Sequence, residues 1–193
     1  MQPPHGKTVI VANGAFPQHA LPLAALRLAQ RVVCCDGAAA KLLAAGTTPD
    51  WIVGDLDSLP PALRERHSKK LIYVREQSTN DLSKAFHFCL ANGWHDIVIL
   101  GATGLREDHA VANLSLLVEF AAALAAAAQR QRAALPRLPR GPVRPTQPPT
   151  GRVVLLSDSG IFTPALSSML FRAYPGQAVS IFSPTGAAEV YAE

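Results

Sequence analysis

The chain has 193 residues, of which 49% are hydrophobic, 17% charged and 6% aromatic, and its formal net charge is +4. That is too apolar and too weakly charged for a chain disordered throughout, and long enough for one ordinary domain with a small one attached. No uncharged apolar run reaches the roughly 18 residues of a membrane span, and residues 120–128, the closest approach, are mostly alanine.

From the amino end, residues 1–7 lack an apolar signal core. Residues 7–12, 31–35, 50–53, 70–74 and 95–100 are short β-branched runs. Their near-continuous apolarity predicts strands covered on both faces, as in a parallel sheet. Helical patterns at 21–30, 38–45, 60–67, 80–91 and 108–129 alternate with them. Strand and helix in strict turn predict a doubly wound, mostly parallel, Rossmann-like α/β domain over 1–129. Cys34, Cys35 and Cys89 form neither an even set nor a CxxC pair, so buried reduced thiols and a cytoplasmic location are expected.

Residues 130–152 carry six arginines and six prolines and no acid. Without those six arginines the 18 basic residues drop to 12, against 14 acidic ones, so the basicity belongs to one segment. Proline this dense predicts an extended linker over 130–150, and a solvated linker is preferred to a nucleic-acid contact. Residues 151–159 read as a last strand of the first domain. From 160 to 193 the pattern changes to short strand-like pieces at 161–162, 168–171, 178–182 and 189–192. These predict a small all-β module, a partial and incomplete β-sandwich, which leans on the first domain or on another subunit.

In an open parallel sheet, ligands bind beyond the carboxyl ends of the strands. The turns found there are Asn13-Gly14, Asp36-Gly37, Gly54-Asp55-Leu56-Asp57-Ser58, Gln77-Ser78-Thr79-Asn80-Asp81 and the stretch from Gly101 to His109. Five aspartates converge on this rim. In extended backbone the carboxylates of Asp55 and Asp57 share a face, and a hard divalent ion such as Mg²⁺ relieves their repulsion. A turn whose aspartates cap backbone amides accounts for the same pair. Asp81 reads equally as a metal ligand or as a residue favoured by a helix amino end. Lys84, one turn on, is able to meet a phosphate as a point charge. Gly101-Ala-Thr-Gly104 offers free amides to an anion, with Arg106 and Asp108 beside it, and His109 reads as a local packing residue or a proton carrier. There is no HExxH, no GxSxG and no cysteine–histidine pairing at zinc spacing.

Asp36-Gly37, Gly54-Asp55-Leu56-Asp57-Ser58, Thr79-Asn80-Asp81-Leu82-Ser83-Lys84-Ala85 and Gly101-Ala-Thr-Gly104-Leu-Arg106-Glu-Asp108-His109, followed by Asn113-Leu114, together resemble thiamine pyrophosphokinase. The resemblance runs from about residue 8 to 120 and continues weakly through 152–183. It implies transfer of the β,γ-pyrophosphoryl group of ATP to thiamine, giving thiamine diphosphate and AMP. It also implies Mg²⁺ on Asp55, Asp57 and Asp81, with Asp108 close to the metal or its waters as a fourth catalytic carboxylate. Asp36, Gly37, Gly101, Gly104, Arg106 and His109 are then expected to line the nucleotide, with Asn13 and Lys84 near its phosphates. Gln77 and Thr79 are expected on the thiamine side. A homodimer is implied, with the C-terminal module completing the thiamine pocket across the interface. Two alternatives keep part of this reading: a diphosphokinase acting on another heterocyclic alcohol such as a pterin, and a non-catalytic nucleotide- or RNA-binding protein using the arginine segment.

Overall fold

The valine- and isoleucine-rich runs form strands because both of their faces are covered. The computed structural model describes residues 8–134, 151–169 and 175–183. Strands β1 (Thr8–Val11), β2 (Arg31–Cys35), β3 (Trp51–Gly54), β4 (Leu71–Tyr73), β5 (Asp96–Leu100) and β6 (Arg152–Leu156) are parallel, and β7 (Ile161–Phe162) runs antiparallel to β6. The order across the sheet is β4-β3-β2-β1-β5-β6-β7. It reverses at β1, which pairs with β2 on one side and β5 on the other, so the crevice beyond β1 and β5 is the topological switch point.

The helices are α1 (Ala20–Arg27), α2 (Ala39–Ala44), α3 (Pro61–Arg66), α4 (Asp81–Ala91) and α5 (Glu107–Ala134). Phe86 of α4 is fully buried and stacks on Phe120 of α5, with ring centroids 4.0 Å apart. Burying one such ring contributes about 1.5–3 kcal/mol, and the stack adds about 0.5–1.5 kcal/mol. This contact packs the middle of α4 against the middle of α5. Leu117, Phe120 and Leu124 seat α5 in the core.

The structure departs from the sequence reading in four places. Helix α5 continues through Ala134, so residues 130–134 are helix and not linker; alanine-rich sequence favours the helix, and the first proline comes only at Pro136. The rest of the expected linker, 135–150, lies outside the described residues. Ile161–Phe162 joins the edge of the main sheet and not a separate module. Residues 168–169 and 178–182 are not strands, and none occurs among the described residues beyond Phe162; a strand needs a ladder partner, and none is supplied there. The pieces at 170–171 and 189–192 lie outside the described residues. Finally, 107–131 is long and apolar enough, by length and composition, to cross a membrane. Counting only uncharged runs missed it because Glu119 interrupts it, and its contacts are those of a helix covering the sheet.

Candidate active site at the carboxyl ends of the strands

Asp36 follows β2 directly and is 1% exposed. Its Oδ1 accepts the Gly37 N–H at 2.7 Å, whereas its buried Oδ2 has no hydrogen-bond partner among the described residues. Gly54, at the end of β3, makes room for this carboxyl: a Cβ there would stand 2.6 Å from the Asp36 Cγ. Burial, and then the charges of Asp81 and Asp55, push Asp36 up to about 6, against the lowering effect of the Gly37 N–H.

The Asp55-Leu56-Asp57 turn is not extended, which corrects the expected geometry. Leu56 has φ 65°, in the left-handed region, and is the one non-glycine residue with positive φ among those described. A β-carbon makes that conformation unfavourable by roughly 1–2 kcal/mol. Here it is held by burial of the Leu56 side chain and by the Arg64 guanidinium donating to the Leu56 carbonyl. In this turn one carboxylate oxygen from each of Asp36, Asp55 and Asp57 lies within 4.8 Å of the others, with Asp36 buried, Asp55 half-buried and Asp57 exposed.

Asn80 caps α4, its Oδ1 accepting the Ser83 N–H at 2.9 Å. Its Nδ2 donates to Asn113 of α5 at 3.1 Å, and Asn113 donates onward to the Ala102 carbonyl at 2.8 Å. This chain ties the start of α4 to the turn after β5. It aims Lys84, whose side chain is 3% exposed, at Asp55 (3.2 Å) and Asp81 (3.0 Å). Burial opposes the Lys84 charge, but hydrogen bonds to Asp81 and Asp55 outweigh it and raise the ammonium's pKa. The same Lys84 bond holds Asp55 below the usual carboxylate range. Asp81 therefore stands beside the tight trio, its carboxylate on Lys84 and its charge felt by Asp36.

The turns after β1 and β5 are bonded to each other. Gly14 N–H donates to the Gly101 carbonyl at 2.6 Å, and Ala15 N–H to the Thr103 carbonyl at 2.8 Å. Gly14 permits this approach, since a Cβ there would sit 2.5 Å from the Gly101 oxygen. On the other side, Lys41 Nζ donates to Asn13 Oδ1 (3.0 Å), the Gly14 carbonyl (3.0 Å) and the Asn13 carbonyl (3.3 Å).

Other expected residues lie on the rim with different roles. Arg106 grips Asp108 through both guanidinium and carboxylate, and the pair is exposed. That bond holds Asp108 down to about 2. His109, Gly104 and Gln77 are exposed on the same edge. Thr79 donates from its backbone (2.8 Å) and its hydroxyl (2.7 Å) to Glu76, which also takes the amide and hydroxyl of Ser78. Glu76, Arg64 and Lys41 escaped the sequence reading. Only Lys41 left a signal, being one helical turn beyond Gly37. The three thiols are free and buried, and burial pushes Cys89 up to about 12, so none is poised as a nucleophile.

The molecule is a doubly wound α/β domain that gathers three carboxylates at the carboxyl ends of β2 and β3, one with an unpartnered oxygen among the described residues, beside a helix start bridged by a lysine. The chain belongs to the thiamin pyrophosphokinase family: the model of that family's catalytic domain matches residues 24–127. It is 34% identical to thiamine pyrophosphokinase 1 of Oryza sativa subsp. japonica, over 58% of this chain and 51% of that protein. It is 32% identical to thiamin pyrophosphokinase 1 of Caenorhabditis elegans, over 46% of this chain and 40% of that protein. The chain thus spans about half the length of these relatives or less. Among solved structures, thiamin pyrophosphokinase from Geobacillus thermodenitrificans is 27% identical with a TM-score of 0.50, over 60% of this chain and 55% of that one. The fold also matches thiamine pyrophosphokinase from Bacillus subtilis, with a TM-score of 0.52 at 22% identity, over 77% of this chain and 60% of that one.

Proposed function

We propose that this chain carries the nucleotide-binding and catalytic half of an Mg²⁺-dependent ATP:thiamine diphosphotransferase. The hydroxyethyl oxygen of thiamine attacks the β-phosphorus of ATP, the bond to the α,β-bridging oxygen breaks, AMP leaves and the alcohol proton is released. The observation that carries the reading is the orphaned Oδ2 of Asp36 within the Asp36/Asp55/Asp57 cluster. A buried carboxylate oxygen without a donor, grouped with two more anions, suits a hard cation that takes oxygen ligands and phosphate. When bound, Mg²⁺ offsets the polyphosphate charge during transfer.

The chain's own residues do the remaining work in this reading. Asp36, Asp55 and Asp57 hold the ion, with Asp81 beside them. Lys84 favours the ionised form of Asp55 and donates to Asp81, and the Asn80–Asn113–Ala102 chain fixes the distance between α4 and the switch point. Lys84 also lines a largely apolar groove of about 530 Å³ with Ile72, Val74, Glu76 and Phe88, where an aromatic heterocycle fits next to the ion. The exposed Ile161, Phe162 and Phe182 favour a homodimer, and the three free, buried thiols favour the cytoplasm.

The test is AMP release from ATP and Mg²⁺, with and without thiamine, by the 193-residue chain. Thiamine-dependent AMP is expected. Nucleotide binding without any AMP would overturn the thiamine acceptor while sparing the donor site.

A further inference from the structure

Lysine is a donor only, with three N–H groups, and an asparagine amide presents an oxygen on one side and a nitrogen on the other. All three donors of Lys41 have acceptors: Asn13 Oδ1, the Asn13 carbonyl and the Gly14 carbonyl. Each acceptor is neutral, and Lys41 has no N–H left for a ligand. Its contact with Oδ1 also decides which way the Asn13 amide faces, because the flipped amide would set donor against donor. The amide nitrogen is thereby turned toward Gly37, where a Cβ would lie 2.3 Å from Nδ2. Asn13 is exposed, and Nδ2 has no acceptor among the described residues.

We infer that Lys41 is a positioning residue: it locks Asn13 so that its amide N–H is presented beside Asp36-Gly37, as a donor to a nucleotide phosphate oxygen. This rests on the nucleotide reading above. The phosphate then meets the cation cluster on one side and the Asn13 N–H on the other, and Lys41 acts through Asn13 without touching the ligand. The bonds between the turns after β1 and β5 hold the Asn13–Gly14 backbone from behind, so Lys41 adds control of the side chain to a main chain already fixed.

The experiment is calorimetric binding of α,β-methylene ATP with Mg²⁺ to wild type, Lys41→Met, Lys41→Arg, Asn13→Ala and the Lys41→Met/Asn13→Ala double variant, with thermal midpoints for each. Lys41→Met is expected to weaken binding about tenfold, the loss of one hydrogen bond to a charged group. Asn13→Ala is expected to match it, the double variant to be no weaker than Asn13→Ala, and Lys41→Arg to recover part of the loss. Losses that add, or a Lys41→Met affinity equal to wild type, would overturn the positioning role. So would a Lys41→Met chain that melts lower but binds as wild type, since that is a purely structural effect. A wild type that binds no analogue would overturn the nucleotide reading, and this inference with it.

Discussion

The two ends of the sheet use polar residues in opposite ways. At the amino ends of the strands, charges are matched. Asp50 accepts the Val32 N–H at 2.8 Å, Arg152 pairs with Asp96 at 3.1 Å, Lys70 donates to the Pro49 carbonyl at 2.8 Å, and Arg31 lies over the Trp94 ring at 5.1 Å. Among the described residues, the one buried side-chain polar atom left without a partner there is the neutral Thr8 hydroxyl. At the carboxyl ends, Asp36 is buried with a free oxygen, three carboxylates crowd together, and Leu56 is held in a left-handed turn. Paired polar groups hold a fold together, whereas a carboxylate oxygen buried without a partner and a strained turn at the carboxyl ends of the strands are what the proposed cation would satisfy.

The sharpest way to break this contrast is Asp55→Asn. It is expected to reduce transfer about a thousandfold with the fold intact, measured as AMP release beside circular dichroism. Lys84→Met removes the buried cation from between two carboxylates. It is expected to cost about 3 kcal/mol in urea unfolding, with added Mg²⁺ narrowing the gap.

The pH dependence follows from Asp36. Its folded pKa, about 6, lies above the ordinary 3.8. The native state therefore binds more protons than the unfolded chain between those values, and stability falls as pH rises through that window. The loss reaches at most about 3 kcal/mol, and Mg²⁺ is expected to shrink it. Melting curves at pH 5 and 7, with and without the ion, measure it. The depressed groups Asp55 and Asp108 act below 3.8, and Glu76, held down to about 2 by the Ser78 and Thr79 hydrogen bonds, acts below its ordinary 4.5, so the Asp36 effect stands alone between pH 5 and 7.

Gly54→Ala drives a methyl into the Asp36 carboxyl and is expected to cost about 1–3 kcal/mol of stability along with cation affinity. The smallest effect expected is that of Asp158→Ala. Its carboxylate accepts the N–H groups of Gln18 (3.0 Å) and His19 (2.9 Å) at the start of α1, so its loss should lower stability by about 1 kcal/mol.

The sheet was legible in the sequence because strands buried on both faces read as unbroken apolar runs. The convergence of aspartates on one rim then followed from strand direction alone. The Asp55–Asp57 pairing was legible as well, but its cause was not, since Leu56 carries no mark of a left-handed residue and is held there by the distant Arg64. The sequence places Lys41 one helical turn beyond Gly37 but not its acceptors, which come from a turn 27 and 28 positions away. Residues 168–169 and 178–182 are not strands, since an alternating pattern forms a strand only where a partner exists to pair with it.

The most direct test compares Asp36→Asn with Asp50→Asn, the same change made at opposite ends of the sheet, by titrating Mn²⁺ in the presence of α,β-methylene ATP. Asp36→Asn is expected to weaken the cation about tenfold or more while Asp50→Asn leaves it unchanged. Equal affinity in both variants and wild type would contradict the assignment of the rim as a cation site.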